Sequence, residues 1–318
     1  MAFLTGIFRD TLSLYWTLVK IMVPVMIVVK VAVSLGLVSV LAVVFEPLML
    51  MVGLPAEYGL VWATACLVNI YGGAAALLGV LPEVPLTVAQ ATVLGSMILA
   101  AHSLPIEQRV CQKAGASIVF TTALRFAAAI VYGALLNLFY SSFDLLQQPV
   151  QIAWLPSTPA DAGWVEWGIN SLISLGTIFF IILALITLLR LFDLLGVTRL
   201  LSKALAPLLR LMGIGSAATS LTLAGVLLGL SYGGALIIRE AQAGHMNSRD
   251  IFLSVSFMAI CHSLIEDTLF IMALGGHWSG ILIGRVVFSI LVMILLARIV
   301  HAMPDDMLHR WFVRPARA

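Results

Sequence analysis

Two histidines, His102 and His262, sit at the centres of long apolar segments. Each is followed by Ser-Leu (Ser103, Ser263) and, about a turn later, by acid: Glu107 in one case, Glu266 and Asp267 in the other. Arg125 and Arg285 lie in the next apolar stretches, several residues from their ends. A charge in hydrocarbon costs at least about 2.5–3.5 kcal/mol, so such groups need partners or a purpose. Histidine, with an ordinary pKa of about 6.5, suits a proton carrier or a hydrogen-bond partner. The three carboxylates suit ion coupling or charge balance. Two histidines with two or three carboxylates are also adequate ligands for zinc or iron. Their spacing is not a strict zinc signature, however, and nearby arginines repel cations, so no metal is assigned. The blander alternative pairs Arg125 with Glu107, and Arg285 with Glu266 or Asp267, for helix packing alone, and bonds each imidazole to a neighbouring carbonyl.

The segments that must hold these residues are set by composition. Of 318 residues, 62% are apolar and 10% charged, against about 45–50% and about 25% in soluble domains. That balance excludes a disordered chain, a nucleic-acid-binding domain and a cytosolic enzyme, and predicts an all-α polytopic membrane protein. Unbroken apolar runs exclude an outer-membrane barrel, whose strands alternate with period two. The three cysteines (Cys66, Cys111, Cys261) have no CxxC spacing, so neither a disulfide framework nor a zinc knuckle is indicated. The first apolar stretch runs far past a signal-peptide core and reads as a retained span. No cofactor-binding motif occurs, and none is expected to be needed.

The chain is written twice. His102 and His262 are 160 residues apart, and the same offset joins Lys30 to Arg190, Gly36 to Gly196 and Pro47 to Pro207. It also joins Gly53 to Gly213, Gly115 to Gly275 and Arg125 to Arg285. With a one-residue slip, Tyr71-Gly72-Gly73 matches Tyr232-Gly233-Gly234, and Ile106-Glu107 matches Ile265-Glu266. The first repeat is assigned to residues 1–140, an extracytoplasmic linker to 141–164 and the second repeat to 165–318.

Each half begins with a long apolar helix, about 12–34 and 168–192, followed by an interfacial helix, about 38–51 and 198–212. The second interfacial helix carries Arg199, Lys203 and Arg210 and the first only Glu46. Basic residues cluster on cytoplasmic segments, so the two lie on opposite faces, the mark of inverted-topology repeats. Segments of about 54–81 and 214–244 are expected to be re-entrant hairpins reversing at their glycines. Each half then supplies three spans and one hairpin, with both termini cytoplasmic; eight full spans in parallel halves is the competing layout. Trp154, Trp164, Trp167 and Trp278 fall where an interfacial aromatic belt sits. Spans of about 88–114 and 250–274 place both histidines near mid-depth, and Pro105 is expected to break the first of them one turn beyond His102.

This layout resembles the nucleoside-recognition (Gate) domain membrane proteins, a group related to concentrative nucleoside transporters and to the membrane part of bacterial ferrous-iron transporters. Tyr71-Gly72-Gly73, His102-Ser103-Leu104-Pro105, Tyr232-Gly233-Gly234 and His262-Ser263-Leu264-Ile265-Glu266-Asp267 carry the resemblance. It implies that hairpin tips and broken helices form the substrate site. The chain departs from the pattern in having no Cys-bearing iron-transporter motif, no GxxxxGK[ST] and two arginines with no counterpart in a nucleoside site.

The expected function is secondary transport across the cytoplasmic membrane of a small polar solute, nucleoside-like or a small organic anion. Asn69, Tyr71, Gly72, Gly73, His102, Ser103, Arg125, Ser231, Tyr232, Gly233, Gly234, His262, Ser263 and Arg285 are the substrate-binding candidates. Glu107, Glu266 and Asp267 are the coupling candidates. The expected partners are the solute and the bilayer, and a homodimer is compatible because related architectures often assemble. The alternatives are a non-transporting scaffold or accessory subunit, or a divalent metal-ion transporter. An enzyme is not expected, since HSL lacks a GxSxG context and HExxH is absent.

Overall fold

The computed structural model describes residues 2–152, 163–243 and 246–313, in which the regular structure is helical. The first half contains α1 (Ala2–Ser34), α2 (Leu37–Met51), α3 (Tyr58–Leu67), α4 (Ile70–Val80), α5 (Val88–Ala100), α6 (Leu104–Lys113) and α7 (Ile118–Ser142). The second repeats them as α8 (Trp164–Leu194), α9 (Val197–Leu211), α10 (Ser216–Leu228), α11 (Leu230–Gln242), α12 (Ser248–Ile260) and α13 (Glu266–Ala273). A π-helical turn (Ser279–Gly284) leads into α14 (Arg285–Ala302), and α15 (Asp305–Trp311) follows.

The duplication extends to local conformation. Positive φ recurs in pairs at Gly36 and Gly196, Gly53 and Gly213, Gly115 and Gly275, and at Ser103 and Ser263. N-caps recur too: the Thr87 hydroxyl accepts from the Gln90 amide, and the Asn247 side chain accepts from the Asp250 amide, each filling an orphan donor of the first turn.

The halves are inverted. Thr87 and Val88, where α5 begins, pair with Gln148 and Pro149 beyond the end of α7. Gly275, just after α13, packs on Val150 of the same loop. At the opposite face, Ala116 and Ser117 beyond α6 pair with Val313 and Phe312. There Arg249, at the start of α12, donates to the Met303 carbonyl and pairs with Asp305. So α5–α6 and α12–α13 run in opposite directions. Likewise α1 is antiparallel to α8, with Asp10 paired to Arg190 and Tyr15 donating to the Leu175 carbonyl. This geometry removes the eight-span parallel layout.

Five segments are long and apolar enough to span a bilayer: Thr5–Ser34, Val88–Lys113, Ile118–Ser142, Trp164–Leu194 and Ser279–Ala302. The sixth expected span is α12–α13, which is interrupted at residues 261–265. Both α3–α4 and α10–α11 are re-entrant. Tyr58 at the base of the first hairpin donates to the Val84 carbonyl, and its far end meets Ser103, whose amide donates to the Ala65 carbonyl. In the second, Gly215 at the base donates to Asp250, and the Leu264 amide donates to the Val226 carbonyl near the tip.

The repeats are intertwined rather than side by side. One apolar core joins α1–α5 to Ile178 and Ile182 of α8 and to Phe270, Ile271 and Ile281 of the second half. The other joins α9–α12 and α14 to Cys111, Ala114 and Ala128 of the first. Large apolar side chains remain exposed along α1, α7, α8 and α14, among them Trp16, Leu138, Leu172 and Leu295, as lipid-facing helices require. Trp164 and Trp278 are exposed where a belt is expected, whereas Trp154 lies outside the described residues.

Candidate functional site

The site is built on two helix breaks. In each half the helix stops two residues before the histidine, and the following serine takes a left-handed conformation, φ 49° at Ser103 and 47° at Ser263, which costs an L-residue roughly 1–2 kcal/mol. The first break therefore lies at the histidine and not one turn beyond it. Pro105 starts the next helix instead, where a proline has no intrahelical bond to lose. The second half breaks the same way without a proline.

Breaking a helix leaves its last carbonyls without amide donors, and the arginines supply those donors. Arg125 Nε donates to the Ala100 carbonyl at 2.8 Å and Nη2 to the His102 carbonyl at 2.9 Å. Its Nη1 pairs with Glu107 Oε2 at 2.5 Å. Arg285 Nη2 donates to the His262 carbonyl at 2.5 Å, but its Nε and Nη1 have no hydrogen-bond partner among the described residues. Both guanidinium groups thus cap a half-helix C-terminus, where a cation also opposes the negative end of the helix dipole. Neither lines the cavity, so their expected role as substrate contacts is corrected to a structural one.

The histidines meet. Each Nδ1 faces the carbonyl four residues back, Ile98 at 2.9 Å and Met258 at 2.8 Å. The Nε2 atoms of His102 and His262 are 3.1 Å apart, and Glu107 Oε1 is 3.3 Å from each. Asp267 Oδ2 lies 3.8 Å from His102 Nε2, and the Tyr71 hydroxyl donates to Glu266 Oε1 at 3.2 Å. Asp267 stands 160 residues after Glu107, and both amides donate to the left-handed serine, Ser103 or Ser263. The structural mate of Glu107 is therefore Asp267, with no slip. The expected pairing of Glu107 with Glu266 is one residue out of register.

These groups line a cavity of about 320 Å³ between the two breaks. Asn69, Ile70 and Tyr71 come from one hairpin tip, and Leu228, Gly229 and Leu230 from the other. His102, Ser103, Glu107, His262, Ser263, Glu266 and Asp267 come from the broken helices. Leu14, Thr17, Leu18 and Ile21 of α1 close one side. The α1 wall was not foreseen; Thr17 is one of several hydroxyl residues in this apolar helix, Thr11 and Ser13 among them, and nothing in the sequence singles it out.

Other expected contacts are reassigned. The hairpins do not reverse at Gly-Gly. The first turns at Val68–Asn69, where the Asn69 side chain caps α4 by accepting from the Gly72 amide at 2.8 Å. The second turns at Gly229, φ 106°. Gly72 and Gly73, Gly233 and Gly234 lie inside the following helices as close-packing positions. A Cβ on Gly73 would meet Ala65, one on Gly233 would fall on the Gly225 backbone, and one on Gly234 would strike Val110. Small residues let membrane helices approach in this way. The side chains of Ser231 and Tyr232 lie outside the described residues.

Compared with known proteins, the chain is 26% identical over 286 residues to the uncharacterized membrane protein YvoD of Bacillus subtilis (strain 168), covering 89% of this chain and 90% of that protein. No family model matches the chain, and no solved structure matches it. The apolar helices and this relative agree on one conclusion: the chain is a membrane protein.

Proposed function

We propose that the chain is a secondary transporter of the cytoplasmic membrane that moves a small polar solute, nucleoside-like or a small organic anion, by alternating access. The observation that carries this reading is the cavity between the two helix breaks, polar at its floor and lined by both hairpin tips and both broken helices. Inverted repeats meeting at a site of broken helices are the arrangement in which one half can rock against the other around fixed ligands. The resemblance to the nucleoside-recognition (Gate) group supports the same placement. The face bearing Arg109, Lys113, Arg249 and Arg310 is assigned to the cytoplasm, and that bearing Glu83 and Asp144 to the outside. The test is uptake by purified protein in liposomes, with and without a pH gradient, over nucleosides, small carboxylates and divalent metals. Uptake stimulated by the gradient and lost in His102→Gln and His262→Gln is expected. No uptake of any of these, in an assay validated with a known carrier, overturns the proposal.

A non-transporting scaffold has one observation in its favour, the use of both arginines as helix caps. A charge swap of Arg125 and Glu107 does not separate the two readings, because it also removes the donors on the Ala100 and His102 carbonyls. Variants of the cavity wall do separate them. Thr17→Val and Ser103→Ala leave a scaffold's function intact and impair a carrier.

A further inference from the structure

The imidazole pair is arranged for more than hydrogen bonding. A carbonyl oxygen can only accept, so the contacts to Ile98 and Met258 place a hydrogen on each Nδ1. Each Nε2 then presents a lone pair. The two lone pairs face one another at 3.1 Å, with a carboxylate oxygen 3.3 Å from both. Three acceptors in a buried triangle repel unless a cation lies among them. A proton on one Nε2 can donate to both other atoms, but it leaves those two acceptors facing each other, whereas an ion at the centre serves all three edges.

The triangle has the dimensions of a metal site. Donors about 2.0–2.1 Å from a tetrahedral zinc ion are about 3.3 Å from one another, and the three edges here are 3.1, 3.3 and 3.3 Å. The surrounding groups match as well. Metal-bound histidines donate their second N–H to a carbonyl or carboxylate, as both do here. The remaining oxygen of Glu107 is fixed by Arg125.

We infer that His102, His262 and Glu107 form a three-ligand site for a zinc-class divalent transition-metal ion at the floor of the cavity, with its fourth coordination position facing the cavity. The Arg125 charge is matched by Glu107, so it does not forbid a cation at this point. With all five groups ionised, Glu107, Glu266 and Asp267 exceed Arg125 and Arg285 by one negative charge. A divalent ion reverses that sign and draws an anionic group to the open position. The inference rests on the transport reading only in using the same cavity; its test measures binding, so either can fail alone.

The experiment uses the full chain, purified in lipid nanodiscs and stripped with chelator, titrated with Co²⁺ and then with Zn²⁺ in competition. The expected result is one Co²⁺ per chain with the intense visible bands of tetrahedral cobalt, displaced by Zn²⁺. His102→Gln and His262→Gln should each weaken binding at least about 100-fold. His309→Gln, an exposed histidine, should leave binding unchanged. X-ray absorption of the Zn²⁺-loaded wild type should show two imidazoles and an oxygen ligand, a readout that needs no variant to fold. Absence of stoichiometric binding overturns the site, even where proton-coupled uptake is seen. So does binding that survives in well-folded histidine variants, or a spectrum without imidazole. Metal binding without transport of any solute upholds the site and removes the carrier.

Discussion

Arg125 and Arg285 hold equivalent positions at the two helix breaks, yet only Arg125 has a carboxylate within ion-pair distance among the described residues. Asp267 stands where a second Glu107 would be, one methylene shorter, and makes no ion pair with Arg285 among the described residues.

Asp267→Glu should therefore restore the missing pair. A hydrogen bond to a charged group contributes about 1.5–3 kcal/mol, and Asp267 borders the cavity, which leaves room for the larger side chain. The expected outcome is a raised Tm in detergent with reduced uptake, because the cavity wall is now tied back. A lowered Tm would show that Arg285 is satisfied in some other way.

The Arg125–Glu107 pair gives an asymmetric prediction. Removing one partner leaves a buried charge uncompensated and costs about 3–5 kcal/mol. Glu107→Gln and Arg125→Met should each lower Tm strongly. The double variant should recover part of the loss but not all, since the Ala100 and His102 carbonyls stay without donors. Additive losses would indicate that the two side chains act independently.

Packing of the hairpins predicts a graded glycine series. Gly233→Ala should be the most damaging, because its Cβ would fall on the Gly225 backbone, which has no side chain to swing away. Gly73→Ala meets the Ala65 methyl and should be intermediate. Gly72→Ala meets the Val68 side chain at 3.1 Å and Asn69 Oδ1 at 3.6 Å, with no backbone among its nearest neighbours, and should be mild. Thermal unfolding of the three variants checks the order; equal effects would contradict the close approach of the hairpin arms.

Orientation can be read by labelling. Cys66, Cys111 and Cys261 are buried, so the native thiols should be silent to a membrane-impermeant maleimide. Gln148→Cys should react in intact cells, and Arg310→Cys only after permeabilisation. The reverse pattern would invert the assigned topology.

The all-helical membrane class, the doubling at an offset of 160 and the equivalent placing of the two histidines in the middle of apolar segments were legible in the residues alone; that the two imidazoles meet was not. Composition decides whether a chain can remain in water, and a duplicated pattern carries its own alignment. The inversion was legible too, because basic residues sort to one face. The details of the site were not. The helix breaks depend on partners distant in sequence: the Ala65 carbonyl accepts from Ser103, and the Val226 carbonyl from Leu264. No local signal encodes these, and the one local breaker, Pro105, pointed a turn too far. The glycines read as turn formers because a sequence shows the absence of a side chain but not the neighbour that requires it. The arginines read as ligands because only three-dimensional packing decides which way a long side chain extends, here away from the cavity and onto carbonyls that the breaks leave bare.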